Sequence, residues 1–237
     1  MNPTSSALKW LRQRKHRLLL VALFLALIIQ PMAAGNLEFG GYTVLLVIFL
    51  TVFERRSEQV IALLLGIPAI ATNMLGQVGS EGWRHFNLLA YHSLVLSFMA
   101  FAVVTILIDI FRSTRIQLDH VIGAFSGFIL AALAWGNLYL LIYLISPEAF
   151  LVEPRHDTAI NDVQMRRFLF NHLSFASLTT LDHDGVTPVA PFVRTLQWFE
   201  ALFGQFYFAV FIGQLVGLTM VGAKPVKDDN APGRIHP

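Results

Sequence analysis

Six long apolar segments constrain this chain more than any other feature of its sequence. A membrane-spanning helix needs about 20 predominantly apolar residues, and each segment is about that long or longer. The chain is 55% hydrophobic and only 14% charged, whereas roughly 25% of residues in soluble domains are charged. The sequence therefore predicts an all-α membrane protein with six transmembrane helices, at residues 18–34, 37–53, 60–78, 86–111, 118–145 and 192–221.

The first apolar segment has a second interpretation. A basic stretch at residues 9–17, the apolar run after it and the small residues of 31–35 resemble a secretory signal with its cleavage site. Because several more apolar segments follow, we favour an uncleaved first helix.

Lysine and arginine predict the orientation. If the chain alternates through six crossings, 12 of these residues fall on the side of both termini and 5 on the other. Cytoplasmic loops carry the excess, so we expect both termini in the cytoplasm. The expected divisions are a basic N-terminus (1–17), a four-helix membrane domain (18–112), a second membrane domain (118–222) and a cytoplasmic tail (223–237).

Several functional classes are disfavoured. The chain has no cysteine, which removes disulfides and thiolate metal sites. Its basic residues flank apolar segments instead of forming one polar face, which argues against nucleic-acid binding. Residues 86–108 contain no arginine, and a voltage-sensing helix needs several. No nucleophile–base pair points to an enzyme, and no cofactor is expected.

A short polar segment, residues 177–188, separates an amphipathic run at 165–176 from the last apolar segment. Non-helical backbone is tolerated at membrane depth only where protein buries it or where it lines a watery path. The pattern therefore predicts a re-entrant loop between the fifth and sixth transmembrane helices.

Ten residues of this segment carry a family resemblance. They read Thr179-Thr180-Leu181-Asp182-His183-Asp184-Gly185-Val186-Thr187-Pro188, and they align without a gap with a filter sequence that typically reads T-T-L-G-Y-G-D-I-T-P. With the matching stretches 199–207 and 214–218, residues 118–221 resemble the pore module of the tetrameric potassium-channel superfamily. The likeness is to bacterial channels with four helices ahead of that module and no voltage sensor.

The resemblance implies that residues 118–222 are a pore domain with an outer helix, a re-entrant pore helix, a selectivity filter and an inner helix. It also implies a homotetramer in the lipid of the bacterial inner membrane. It implies that residues 179–185 contact the permeant ion and that Glu200 supports the filter from behind. It also makes Gly204, Gly213 and Gly217 candidates for an inner-helix hinge or gate, although close helix packing is the commoner role of such glycines.

The sequence departs from the family where the filter is most sensitive. Asp182 and Asp184 replace two glycines, and His183 replaces the usual tyrosine. A filter lined by backbone carbonyls needs left-handed backbone at the two glycines. A Cβ there costs about 1–2 kcal/mol per residue, or roughly 8–16 kcal/mol for two positions in four subunits.

We therefore expect a hydrated, acidic filter with a cation site formed by Asp182, His183 and Asp184. Eight carboxylates around one axis have coupled titrations, and oxygen-rich sites suit hard cations such as calcium. His183 adds transition-metal binding and sensitivity to pH. The permeant cation is left open between Ca²⁺, Na⁺ and K⁺.

Other readings stay open. Asp-Gly is also an ordinary surface turn, the filter is alternatively a rearranged potassium-selective one, and the protein is alternatively a non-conducting relative of channels. Thr179 and Thr180 are alternatively helix-end caps, and Glu200 is alternatively an ion-pair partner of Arg194 or Arg167. Polar residues inside the apolar segments predict interhelical hydrogen bonds, at His92, Ser93, Asn137, Gln205 and Gln214.

Overall fold

The computed structural model of this chain describes residues 15–29, 38–75, 80–112, 118–156, 158–181 and 185–222. The described residues are mostly helical. They form seven α-helices and one two-stranded sheet: α1 Lys15–Ile29, α2 Glu38–Val52, α3 Arg56–Leu75, α4 Glu81–Arg112, α5 Leu118–Ile145, β1 Phe150–Val152, α6 Val163–Thr179, β2 Val186–Pro188 and α7 Pro191–Gly222.

Three stretches within these residues are long and apolar enough to cross a membrane: Arg56–Leu75, Glu81–Arg112 and Val121–Ile145. His16–Ile28 is apolar but shorter. These helices indicate a mostly helical membrane protein, as the composition predicts. The count of six spans stays a prediction, since the second and sixth predicted segments include residues that the structure does not describe in full.

The helix α5 lies at the centre of the described fold. It packs against α1, α4, α6 and α7, and 61% of its apolar stretch is buried, compared with 11% for α3. One buried cluster joins α5 to the preceding helices through Leu19, Ile48, Phe98, Ile106 and Leu130. The fifth predicted span is therefore a scaffold on which α1, α4, α6 and α7 pack.

A second buried cluster joins α5 to the residues that follow it. Its members come from α5, β1, α6, β2 and α7, and they include Tyr139, Phe150, Phe170, Val186 and Val193. The helix α6 lies against both α5 and α7. The predicted pore domain, 118–222, thus has its own core and places a shorter helix between two long ones.

Candidate functional site

The helix α6 begins at a strong cap. The Asp162 carboxylate accepts hydrogen bonds from the backbone N–H groups of Gln164 at 3.0 Å and Met165 at 2.8 Å. Such a cap satisfies two of the four free N–H groups at a helix start. It also explains why α6 begins before the amphipathic run at 165–176 that the sequence shows.

The other end of α6 is closed by a left-handed residue. Thr180 has φ 56° and ψ 29°, while the N–H of Leu181 bonds to the carbonyl of Ala176 at 2.9 Å and that of Thr180 to Ser177 at 3.3 Å. This pair of bonds is the Schellman motif, which usually has glycine at the left-handed position. A β-branched residue there is strained, and such strain is concentrated at functional sites.

The two threonines at this end have different roles. Thr179 donates its hydroxyl to the carbonyl of Phe175, four residues earlier in the same helix, at 2.6 Å. This is the ordinary back-bond of a helical threonine, so a capping role for Thr179 stays a prediction. Thr180 and Leu181 are exposed. Their contact with a permeant ion stays a prediction.

The predicted cation site, Asp182, His183 and Asp184, lies outside the described residues. The described part of the chain contains no group of three or more His, Cys, Asp or Glu side chains that could hold a metal ion. The metal-binding expectation for the trio therefore stays a prediction.

The chain is described again from Gly185, whose backbone is held by neighbouring residues. Its φ is 99°, and its carbonyl accepts a hydrogen bond from the N–H of Glu153 at 2.9 Å. A Cβ on Gly185 would lie 3.0 Å from a methyl carbon of Leu169 and 3.4 Å from the His156 ring. The left-handed backbone and the close approach both favour glycine here.

The strand β2 then anchors the chain to the linker between α5 and α6, which contains β1. It pairs antiparallel with β1, with Phe150 opposite Pro188 and Val152 opposite Val186. The Arg194 guanidinium donates to the carbonyl of Pro188 at 3.1 Å. The linker is thus tied to the segment after the predicted filter, and that segment is tied to the start of α7.

Glu200 joins three helices at the centre of this region. Its side chain is 0% exposed, one oxygen accepts a hydrogen bond from the Tyr139 hydroxyl of α5 at 2.7 Å, and the other contacts the Ser174 hydroxyl of α6. The predicted alternative, an ion pair with Arg194 or Arg167, is wrong, because Glu200 bonds to hydroxyls instead. Its role in supporting the filter stays a prediction.

Two further contacts hold α6 against α7. The amide of Gln197 donates to the Ser177 hydroxyl at 3.0 Å. A Cβ on Gly204 would overlap the Leu178 carbonyl oxygen and lie 3.1 Å from the Leu178 carbonyl carbon, so Gly204 permits close packing. By contrast, a Cβ on Gly213 would meet nothing within 4 Å. The surroundings of Gly217 and the side chain of Gln214 lie outside what the structure describes.

A polar pair connects α4 to α5, formed by the buried His92 and the half-buried Asn137. The Nδ1 of His92 lies 2.7 Å from the Oδ1 of Asn137, and the Asn137 amide donates to the His92 carbonyl at 2.8 Å. Interhelical hydrogen bonding is therefore confirmed for both residues. Next to this pair, the Arg167 guanidinium of α6 lies 5.7 Å from the centre of the Tyr91 ring.

Sequence reasoning missed Tyr139, Ser174 and Tyr91. A tyrosine or serine in an apolar helix gives no signal of its own, because the same residues also face lipid boundaries or bond to their own helix. A buried glutamate, however, requires hydrogen-bond partners. That requirement identifies hydroxyls on the facing helices as candidates, although not which ones.

Comparison with known proteins leaves the family open. No protein-family model matches this chain, and searches of curated proteins and of solved structures find no match either. The proposed function therefore depends on the residues of this chain and their geometry.

Proposed function

We propose that this protein is a subunit of a homotetrameric cation channel whose filter is acidic, with Asp182, His183 and Asp184 facing the ion path. The proposal is that α6 is a re-entrant pore helix, α5 the outer helix and α7 the inner helix. Ions move passively through the assembly, without a cofactor.

One observation carries the proposal: the segment between Thr180 and Gly185 is fixed at both ends beside a short helix held between two long ones. The Schellman motif fixes its start at the end of α6. The Glu153 hydrogen bond and β2 fix its end at Gly185, which lies against Leu169.

The segment between Thr180 and Gly185 is long enough to return alongside α6, as a filter would. Leu169 precedes Thr179 by ten residues, which is about 15 Å along a helix at 1.5 Å per residue. From Thr180 to Gly185 the chain has five residue steps, which reach at most about 17–18 Å when extended. A filter that returns along the side of α6 is therefore within the reach of this segment.

Electrostatics supports cations as the permeant species. The C-terminus of a helix carries a partial negative charge, and α6 ends at Thr179, the first residue of the predicted filter. Asp182 and Asp184 add two carboxylates per subunit. Rings of acidic side chains are a common device of cation-selective pores.

The exposed surface of α7 supports assembly in a membrane. Large apolar side chains remain uncovered in the single chain, including Trp198 at 68% and Phe206 at 69% exposure. Monomeric soluble proteins rarely leave contiguous apolar patches of this kind. The proposal assigns this surface to neighbouring subunits and lipid.

Cation flux into liposomes that contain the purified protein tests the proposal. We expect Asp182→Asn and Asp184→Asn to change the permeability ratios under bi-ionic conditions, because each removes four carboxylates from the axis. Asp162→Asn is the matched control: it removes the same charge at the opposite end of α6, and asparagine caps a helix as well as aspartate.

The outcomes separate the competing readings. Potassium selectivity that is the same in wild type and in both filter variants would contradict the acidic site and favour a rearranged potassium filter. Silent liposomes at every pH, with an intact tetramer, would contradict conduction and favour a non-conducting membrane protein.

A further inference from the structure

We infer that Glu200 is protonated in the folded protein and donates a hydrogen bond to Ser174. This bond is part of a series of hydrogen bonds that runs from the Tyr139 hydroxyl through Glu200 and Ser174 to the Ala132 carbonyl. In this arrangement Glu200 is a positioning residue for α6. That role rests on the proposed channel function, whereas the protonation does not.

Among the residues that the structure describes, no cation is paired with Glu200 to compensate a negative charge. Glu200 is fully buried, and its side-chain hydrogen-bond partners within the described part of the chain are two hydroxyl groups. The two arginines predicted as ion-pair partners of Glu200 have other contacts. Arg194 bonds to the Pro188 carbonyl, and Arg167 lies over the Tyr91 ring. A buried carboxylate without a cation is strongly disfavoured, and such a group neutralises instead.

The number of hydrogens available between Ala132, Ser174 and Glu200 also favours a neutral Glu200. The Ser174 hydroxyl oxygen lies 2.8 Å from the Ala132 carbonyl oxygen and in hydrogen-bond contact with the Oε1 of Glu200. A serine hydroxyl has one hydrogen, and a carbonyl can only accept. If Ser174 donates to Ala132, the hydrogen between Ser174 and Glu200 must therefore come from the carboxyl group.

The rest of the network fits a neutral acid. With the hydrogen on Oε1, the carbonyl oxygen Oε2 of Glu200 accepts from Tyr139 at 2.7 Å. Each contact then contains one hydrogen. An ionised Glu200 would take the Ser174 hydrogen and leave two oxygens, those of Ser174 and Ala132, facing each other at 2.8 Å with no hydrogen between them.

The network ties three helices together at one point. Ala132 and Tyr139 belong to α5, Ser174 to α6 and Glu200 to α7. Ser174 lies six residues before Thr180, so the neutral acid fixes the half of α6 that leads to the predicted filter.

Infrared difference spectroscopy at neutral pH tests the protonation directly. The spectrum of the purified wild-type protein minus that of Glu200→Gln is expected to contain the carbonyl stretch of a neutral carboxylic acid. Tyr139→Phe is expected to shift this band to higher frequency, because the carbonyl oxygen loses its hydrogen-bond donor. A difference spectrum that shows only carboxylate bands would overturn the inference.

Thermal unfolding of two Glu200 variants provides an independent test. Glutamine mimics the neutral acid, since its NH₂ donates to Ser174 and its oxygen accepts from Tyr139. Methionine has similar bulk but makes no strong hydrogen bond. We expect Glu200→Gln to unfold near the wild-type temperature and Glu200→Met at a lower one. A glutamine variant that unfolds as early as the methionine variant, or fails to fold, would overturn the inference.

These readouts do not depend on conduction. The acid band together with silent liposomes would contradict the channel and keep the inference. Selective conduction without the acid band would keep the channel and remove the inference.

Discussion

Replacing Gly204 with alanine tests the packing of α6 on α7. The new Cβ would overlap the Leu178 carbonyl oxygen and lie 3.1 Å from the Leu178 carbonyl carbon and 3.2 Å from its Cα. All three are backbone atoms, so no flexible side chain can move aside. Overpacking of this kind typically costs about 1–3 kcal/mol.

The matched control is the same substitution at Gly213, where a Cβ would meet nothing within 4 Å. Both glycines lie in α7, so alanine improves the helix propensity at each by about 1 kcal/mol. This gain cancels when the two variants are compared. The difference in the free energy of unfolding between them is therefore the overlap alone, about 1–3 kcal/mol.

Denaturation of the two purified variants in detergent, followed by circular dichroism, measures this difference. We expect Gly204→Ala to be the less stable variant, and its conduction to change because Leu178 lies two residues before Thr180. Equal stability of the two variants, or a less stable Gly213→Ala, would refute the reasoning that α6 closes against Gly204.

The remaining stability predictions concern the two ends of α6 and use the same denaturation assay. Asp162→Ala removes the cap and is expected to cost about 0.5–2 kcal/mol, whereas Asp162→Asn retains stability; equal losses in both variants would contradict the capping role. Thr180→Gly is expected to stabilise the protein by about 1 kcal/mol because glycine adopts φ 56° without strain. Thr179→Gly is its control and is expected to be destabilising, because it removes the hydroxyl bond to Phe175, worth about 0.5–1.5 kcal/mol, and because glycine is the poorer helix former; a loss of stability in both glycine variants would argue against strain at Thr180.

The long helices could be predicted from the sequence because apolar length alone determines them. The predicted fifth segment coincides with α5, and the predicted third and fourth segments lie within one to five residues of α3 and α4. The ends of α6 were less predictable. Its start depends on a single cap, Asp162, and its end on a threonine in a conformation that sequence patterns assign to glycine.

The pairing of polar residues across helices could not be predicted. His92 and Asn137 were each expected to bond between helices, but hydropathy says nothing about the rotation of one helix against another. The same limit applies to Glu200, whose partner Tyr139 is 61 residues away in the sequence. The burial of a carboxyl group predicts that partners exist, and only packing selects them.

A high-resolution map of the assembled protein in lipid, recorded with calcium present, tests the central claim most directly. The account predicts four subunits around one axis, with the Asp182 and Asp184 carboxylates facing it and a cation between them. An assembly without a shared central axis, or one in which both acids point away from it, would contradict the account.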